Sequence, residues 1–282
     1  MDIVPPKKGA FIIDTPEHIP KLHTLMMVSG RRGGGKSVAI SNYVQMLKRE
    51  KLIDRVLLIT PTYHSNQEIW APLDLNPADI LEPTKDVLKH VISVIDSERN
   101  EWDAHLENKK KFKQMVNSDT PIHRMPPMFL QALINSGGNE PEWKYEQEVP
   151  PRLFLIIDDA MGTDLYKPSA GLTKFVIAHR HWGKGLGISV AMLVQSYCGA
   201  SGQGCVARPI REQACILMLY KVKDINQLAK IHQEIGMDVS LKKFDEMLEY
   251  ATDKPFGFLF IDFCAKKPEY AFRSGFNEYL LT

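Results

Sequence analysis

Cysteine, long apolar runs and net charge are all scarce in this sequence. The 282 residues include only 4 cysteines, at positions 198, 205, 215 and 264. They lack paired metal-ligand spacing and are too few for a disulfide framework, so we expect reduced thiols in the cytosol or nucleus. No apolar run approaches the roughly 18 residues of a membrane span, and the opening MDIVPPKKGAF lacks the apolar core of a signal peptide. A soluble protein that is not secreted is expected.

The charge balance excludes a generally basic nucleic-acid or membrane binder. Lysine and arginine number 35 against 34 acidic residues, a net charge of +1. Any contact with DNA would therefore depend on localised basic loops. The length suits one α/β domain with insertions, and 44% hydrophobic residues suffice for a full core.

Short apolar runs alternate with helical patterns, which favours a mostly parallel sheet flanked by helices. The predicted strands are His23–Ser29, Arg55–Thr60, Leu153–Asp158, Ile188–Ser196 and Ala214–Val222. Two amphipathic helices are predicted over Ser37–Glu50 and Ala170–His181. The first would place Val38, Ile40, Val44 and Leu47 on one apolar face.

Two segments depart from this alternation. Pro83–Pro151 contains a long amphipathic helix or helix pair, then paired prolines and a Gly-Gly turn. We interpret it as an insertion or lid-like subdomain within a single domain spanning residues 1–282. Near the C-terminus, FGFLFIDF and EYAFRSGF flank CAKKP, the pattern of an antiparallel β-hairpin.

One short segment matches the phosphate-binding pattern G-x-x-x-x-G-K-[ST]. It reads Gly30-Arg31-Arg32-Gly33-Gly34-Gly35-Lys36-Ser37. An apolar strand precedes it and an amphipathic helix follows, which is the context the pattern requires. Glycines let backbone N–H groups converge on phosphate oxygens, and the helix N-terminus attracts the same anion. Lys36 would reach the β- and γ-phosphates of ATP, and the Ser37 hydroxyl would ligate Mg²⁺.

A second motif supplies carboxylates. RLFLIIDDAM is an apolar strand that ends in Asp158 and Asp159. Asp158 is predicted to hold Mg²⁺, and Asp159 to orient or activate the attacking water, although a helix-capping role for Asp159 stays open. Together the two motifs favour hydrolysis over transfer to a small molecule.

Three more polar residues are candidates for catalysis. Gln195 ends the strand GLGISVAMLVQS and could sense the γ-phosphate, or bond only to loop backbone. Arg180 and Arg211 each precede a predicted strand, and either could stabilise γ-phosphate charge within the chain or in a neighbouring subunit. Both could instead be surface residues or contacts to a DNA backbone.

Other features have two interpretations each. The lysines at 109–111 and 113 could touch DNA or form a solvated helix face. Tyr63 and Trp70, after the second strand, could border the nucleotide or a subunit interface, or pack in the core.

Taken in order, these motifs resemble viral genome-packaging ATPases, the poxvirus-like branch of the FtsK–HerA superfamily. The resemblance is carried by GRRGGGKS, LFLIIDDAM, AHRHWGKGLGISVAMLVQS, RPIREQACILMLYK and PEYAFRSGF. It covers most of Leu25–Phe276, and the middle insertion carries little of it. Many members of the superfamily have glutamate where this chain has Asp159.

The resemblance implies a RecA-like P-loop core with a C-terminal hairpin, in a homo-oligomeric ring of five or six subunits. Such a ring uses ATP and Mg²⁺ to drive double-stranded DNA into a preformed capsid, with capsid or portal-vertex proteins as partners. It implies that Gln195 is the sensor, Asp159 the acidic catalytic residue and Arg180, before Arg211, the trans-acting arginine. The implied location is the host cytoplasm or nucleus, or the virion. Two alternatives stay open, a cellular or plasmid DNA-pumping ATPase of this superfamily and a nucleoside or nucleotide phosphotransferase.

Overall fold

Short apolar runs form the strands of one sheet in the structure, a computed structural model. It describes residues 15–16, 18–116, 127, 130–131, 134, 139–197, 206–222, 224–236 and 239–280. In the described residues the strands are β1 (Leu25–Ser29), β2 (Arg55–Ile59), β3 (Ile80–Leu81), β4 (Leu153–Ile157), β5 (Ser189–Val194), β6 (Ile216–Leu219), β7 (Leu259–Asp262), β8 (Phe272–Ser274) and β9 (Glu278–Tyr279).

The strand order is β3-β2-β4-β5-β1-β6-β7-β8-β9. From β3 to β6 all neighbouring strands are parallel, and from β6 to β9 they are antiparallel. The five central strands are buried almost throughout because both faces of the sheet are covered. The predicted α/β fold, with a mostly parallel sheet, flanking helices and a C-terminal antiparallel hairpin, is confirmed.

Helices of very different length connect the strands. The described ones are α1 (Lys36–Arg49), α2 (Gln67–Trp70), α3 (Val87–Val116), α4 (Leu172–Ile177), α5 (Trp182–Gly185), α6 (Arg208–Arg211), α7 (Ile225–Ile235) and α8 (Leu241–Ala251).

The structure corrects two details of the predicted helices. Val38 does not belong to the buried face of α1, since its side chain is 48% exposed. The buried face instead includes Ala39, Ile40 and Tyr43. The helix predicted over Ala170–His181 is limited to α4, because the chain leaves helical geometry at Ala178 and continues as turns.

Alternation along each strand divides the core between the two faces of the sheet. Met26 and Val28 of β1 pack on the face that α1 covers. Leu25 and Met27 face the other side, where α3, α4, α7 and α8 contribute their apolar residues. The arrangement leaves the carboxyl ends of the parallel strands as the edge where loops can form a site.

In the described part of the middle segment, Val87–Val116 forms one continuous helix. The 30-residue α3 buries Val87, Val91, Ile95 and Trp102 along one stripe. Glu98, fully buried on the same stripe, accepts a hydrogen bond from Arg55 at the start of β2. The predicted Gly-Gly turn at 137–138 lies outside the described residues. No helix in the described ranges combines the length and the apolar character needed to cross a bilayer.

Candidate nucleotide-binding site

A cavity of about 490 Å³ opens where β1, β4 and β5 end. Its lining comes from the glycine-rich loop, the start of α1, the segment after β2, and the residues that follow β4 and β5. The lining residues are Arg32, Gly33, Gly34, Gly35, Lys36, Ser37, Val38, Thr62, Ser65, Asn66, Ile69, Asp158, Asp159, Leu193, Gln195 and Phe256. Gly30 and Arg31 line an adjoining cavity of about 240 Å³, which Gln195 also borders.

The glycine-rich loop has the backbone geometry that only glycine adopts readily. Gly33 and Gly35 have φ angles of 73° and 89°, in the left-handed region that side chains disfavour. Gly35 is also the N-cap residue of α1. A glycine has no side chain to accept hydrogen bonds from the first-turn N–H groups of the helix. These donors and the positive end of the helix dipole are therefore suited to an anion in the cavity.

Lys36 is held within the same loop. Its Nζ donates to the carbonyl oxygens of Gly30 at 2.7 Å and Arg31 at 2.9 Å. Burial lowers the pKa of Lys36, and the nearby carboxylates of Asp158 and Asp159 act in the opposite direction. A polyphosphate would offer this ammonium stronger, charged acceptors than two carbonyl groups.

Ser37 and Asp158, 121 residues apart in sequence, are in direct contact. The Ser37 hydroxyl donates to Asp158 Oδ2 at 2.8 Å. Asp158 is 4% exposed, and burial raises the pKa of its carboxyl group, while the hydrogen bond from Ser37 lowers it. A hydroxyl and a carboxylate at the edge of a phosphate-binding loop are oxygen donors of the kind that Mg²⁺ takes. The residues present therefore fit the predicted metal.

Asp159 and Gln195 face the cavity from neighbouring strands. Both are exposed and both line the cavity. Asp159 has a φ of 50°, an uncommon conformation for a residue other than glycine. It turns the chain at the end of β4 immediately after Asp158. The sheet thus brings Lys36, Ser37, Asp158, Asp159 and Gln195 to one place.

Arg180 lies at the opposite edge of the sheet. Its Nη2 is 4.0 Å from Sγ of Cys215, the residue immediately before β6, and His179 pairs with Ile188 just before β5. Gln195 follows the other end of β5. Six residues of extended strand separate the two edges by roughly 20 Å. Arg180 therefore does not reach the cavity of its own chain.

The guanidinium group of Arg211 is hydrogen-bonded to other residues of its own chain. Its guanidinium makes two hydrogen bonds to the Glu234 carboxylate, at 2.8 and 2.7 Å, and donates to the Val206 carbonyl at 2.6 Å. It also lies over the Tyr197 ring, 5.4 Å from the centroid. Arg211 is 8% exposed and does not line the cavity.

Part of the cavity wall was not anticipated from the sequence. Thr62, Ser65 and Asn66 line it, whereas Trp70 of the same segment is buried in the core. Phe256 lines it from the turn between α8 and β7. Only its aromatic character in a Pro-Phe-Gly turn could have signalled it. No described residue of 83–151 is among the lining residues. Two predicted thiols, Cys198 and Cys205, lie outside the described residues.

The fold is that of the P-loop NTPase class. A glycine-rich loop joins the central parallel strand β1 to a helix N-terminus, and Asp158, which follows the parallel strand β4 on the far side of β5, accepts a hydrogen bond from the Ser37 hydroxyl. No protein-family model matches the chain, and no curated protein sequence matches it.

Several solved structures are similar to it. The genome packaging NTPase B204 of Sulfolobus turreted icosahedral virus 2, in complex with ATP-gammaS, is 14% identical with a TM-score of 0.45, over 87% of this chain and 95% of that one. B204 described as the DNA-packaging ATPase of Sulfolobus turreted icosahedral virus is 15% identical with a TM-score of 0.43, over 87% and 95%. The cytoplasmic domain of the Type VII secretion ATPase EccC of Thermomonospora curvata is 14% identical with a TM-score of 0.39, over 86% of this chain and 24% of that one.

Proposed function

We propose that this protein is an ATP-driven motor that translocates double-stranded DNA to package a viral genome into a preformed capsid. The observation that carries the proposal is the contact between Ser37 and Asp158 beside the glycine-rich loop. It places a predicted metal ligand at the start of α1 against one that follows β4. Both lie beside the phosphate cradle, the glycine-rich loop formed by residues 30–37. ATP supplies the reactive phosphoanhydride, and bound Mg²⁺ neutralises charge on the phosphate oxygens.

The residues around the cavity have distinct roles in hydrolysis. Lys36 and the loop amides hold the phosphates, and Ser37 and Asp158 hold the metal. Asp159, on the exposed side of the cavity, orients the attacking water and accepts its proton. Gln195 donates its side-chain amide toward the water or the γ-phosphate. Because the side chain of Asp159 is shorter than a glutamate, it must approach the water more closely.

The position of Arg180 supports catalysis shared between subunits. An arginine at the opposite edge of the sheet cannot stabilise the γ-phosphate in its own chain. It can stabilise the γ-phosphate bound to a neighbouring subunit when, in a ring, the Arg180 edge of one subunit packs against the cavity edge of the next. We therefore assign Arg180 as the trans-acting arginine. Arg211 is already paired with Glu234, so we assign it a role in stabilising the fold rather than in catalysis.

DNA binding in this proposal comes from a few cations on each of several subunits. The lysine run of α3 is a weak candidate, because Lys109 contacts Glu148 and Lys111 lies 2.7 Å from Glu107. The turn in α5 is a better one, since Lys184 is exposed there with a φ of 55°. Such shared phosphate contacts weaken steeply as salt rises.

The proposed assembly follows from the motif resemblance. It is a homo-oligomeric ring of five or six copies, acting with capsid or portal-vertex proteins at the site of virus assembly in the host cytoplasm or nucleus, or within the virion. We also propose that residues 1–282 form one ATPase domain with 83–151 as an insertion. The placement of α3 against the sheet supports packing of this insertion on the core rather than closure over the nucleotide.

Steady-state ATP hydrolysis with and without duplex DNA tests the proposal. Hydrolysis that duplex DNA stimulates, that falls as salt rises and that Lys36→Ala abolishes is the expected result. Phosphorylation of a nucleoside or nucleotide without DNA dependence would instead identify a phosphotransferase. DNA stimulation without binding to capsid or portal proteins would favour the cellular or plasmid motor. Absence of ATP hydrolysis by the assembled wild-type protein with duplex DNA would overturn the proposal.

A further inference from the structure

Two exposed apolar side chains border the phosphate cradle. Phe256 is 68% exposed and Val38 is 48% exposed, and both line the cavity that contains Lys36 and Asp158. Exposed apolar surface forgoes the stabilisation that burial away from water provides. Other exposed apolar side chains, such as Ile225, lie away from this cavity. An aromatic ring and a branched aliphatic side chain therefore line the same cavity as the glycine-rich loop.

The backbone holds Phe256 in this position despite a conformational cost. Its φ is 63°, a left-handed conformation that is unfavourable for a residue with a side chain. The next residue is Gly257, where a Cβ would lie 2.4 Å from the Ala251 carbonyl oxygen. The turn is thus closed tightly against the end of α8, which fixes the position of the Phe256 backbone.

Phe256 also lies directly against the loop backbone. A Cβ on Gly35 would be 3.1 Å from Cδ1 and 3.2 Å from Cβ of Phe256. Gly35 is therefore needed for its own φ and for the approach of this aromatic ring. The ring adjoins the N-terminus of α1, so a ligand with phosphates on the loop would pass it on leaving the cradle.

We propose that Phe256 and Val38 form an apolar platform on which the aromatic base of a bound nucleoside triphosphate rests. Phe256 stacks on the base, and Val38 covers the neighbouring apolar surface from the first turn of α1. Thr62 and Asn66, whose side chains are hydrogen-bonded to each other at 3.1 Å, line the polar part of the same cavity. This proposal rests on the proposed function, since it assumes that the loop binds the triphosphate.

Calorimetric titration with two magnesium-bound ligands tests the platform. One ligand is ATP, and the other is inorganic tripolyphosphate, which has the phosphates but no base. Phe256→Ala is expected to weaken ATP binding by about fivefold to 150-fold, the range that follows from loss of one aromatic–base stack. It should leave tripolyphosphate binding unchanged. Phe256→Trp should retain ATP affinity, because the larger ring also stacks.

Ile225→Ala is the matched control, because it truncates a similarly exposed apolar side chain outside the cavity. It should alter neither affinity. ATP binding that Phe256→Ala leaves unchanged, or an equal loss for both ligands, overturns the platform and leaves the proposed function standing. A folded wild-type protein that binds neither ligand overturns the proposed function and the platform together.

Discussion

Replacement of Arg211 by alanine distinguishes a structural arginine from a catalytic one. The substitution leaves Glu234 without its bidentate partner, with only 15% of that side chain exposed to water. It also removes the donor to the Val206 carbonyl and the contact with the Tyr197 ring. Breaking a buried ion pair typically costs 3–5 kcal/mol. Because water reaches part of Glu234, we expect a loss of about 3 kcal/mol in the free energy of unfolding.

Urea unfolding followed by circular dichroism measures this loss. The expected decrease corresponds to a melting temperature lower by roughly 6–12 °C for a chain of this size. Arg208→Ala is a matched control, because Arg208 also pairs with a glutamate, Glu212, but in an exposed pair with side-chain exposures of 73% and 52%. It should cost less than about 0.5 kcal/mol.

The pH dependence of the free energy of unfolding provides an independent check of the stabilisation by the Arg211–Glu234 pair. The Arg211 guanidinium is the main reason that the pKa of Glu234 lies below its ordinary value of 4.5 in the folded protein. The pair therefore stabilises the fold above about pH 4.5, and this stabilisation is lost as the pH falls through the lower folded pKa. The stability difference between wild type and Arg211→Ala should narrow in acid. A variant with wild-type stability and no ATP hydrolysis would refute this reasoning and return Arg211 to the active site.

Three further predictions concern other charged and sulfur groups. Asp158→Asn should not lower the melting temperature of the nucleotide-free protein, since burial already disfavours the charged carboxylate; a clear decrease would contradict this. Arg180→Ala and Lys36→Ala should each abolish ATP hydrolysis alone. Hydrolysis should return when the two variants are mixed, because the Arg180→Ala subunit keeps an intact Lys36 site and the neighbouring Lys36→Ala subunit supplies the arginine. Full activity of Arg180→Ala alone would exclude the trans role. A hydrogen bond with Cys264 chiefly lowers the pKa of Cys215 to about 6, so Cys264→Ala should raise the pH midpoint of thiolate absorbance at position 215, measured with Cys198 and Cys205 replaced by serine and Cys264 kept in the reference protein.

Local patterns predicted the parts of the fold that depend on local order. The strand that ends at Ser29 and the helix that starts at Lys36 fix the glycine-rich loop between them. The apolar run of β4 fixes Asp158 at its end. Parallel strands then bring these ends to one edge of the sheet, so Ser37 and Asp158 could be expected at the same edge. Their direct contact also depends on the strand order β4-β5-β1, which the sequence does not indicate.

Features that depend on tertiary packing could not be predicted from the sequence. Val38 has the spacing of a buried helix residue, yet it lies in the first turn of α1, at the cavity rather than above the sheet. Phe256 reaches the site through an unusual φ that no periodicity indicates. The pairing of Arg211 with Glu234, 23 residues later, depends on how α7 returns beside the sheet. A lone arginine in sequence gives no sign of such a partner.

Equilibrium binding of a non-hydrolysable ATP analogue, with and without Mg²⁺, is the most direct test of the cradle. Wild-type protein should bind the analogue more tightly when Mg²⁺ is present. Lys36→Ala should lose most of the affinity, and Asp158→Asn should lose the response to Mg²⁺. An affinity that neither substitution changes would show that the glycine-rich loop and the β4 carboxylate do not form the nucleotide site.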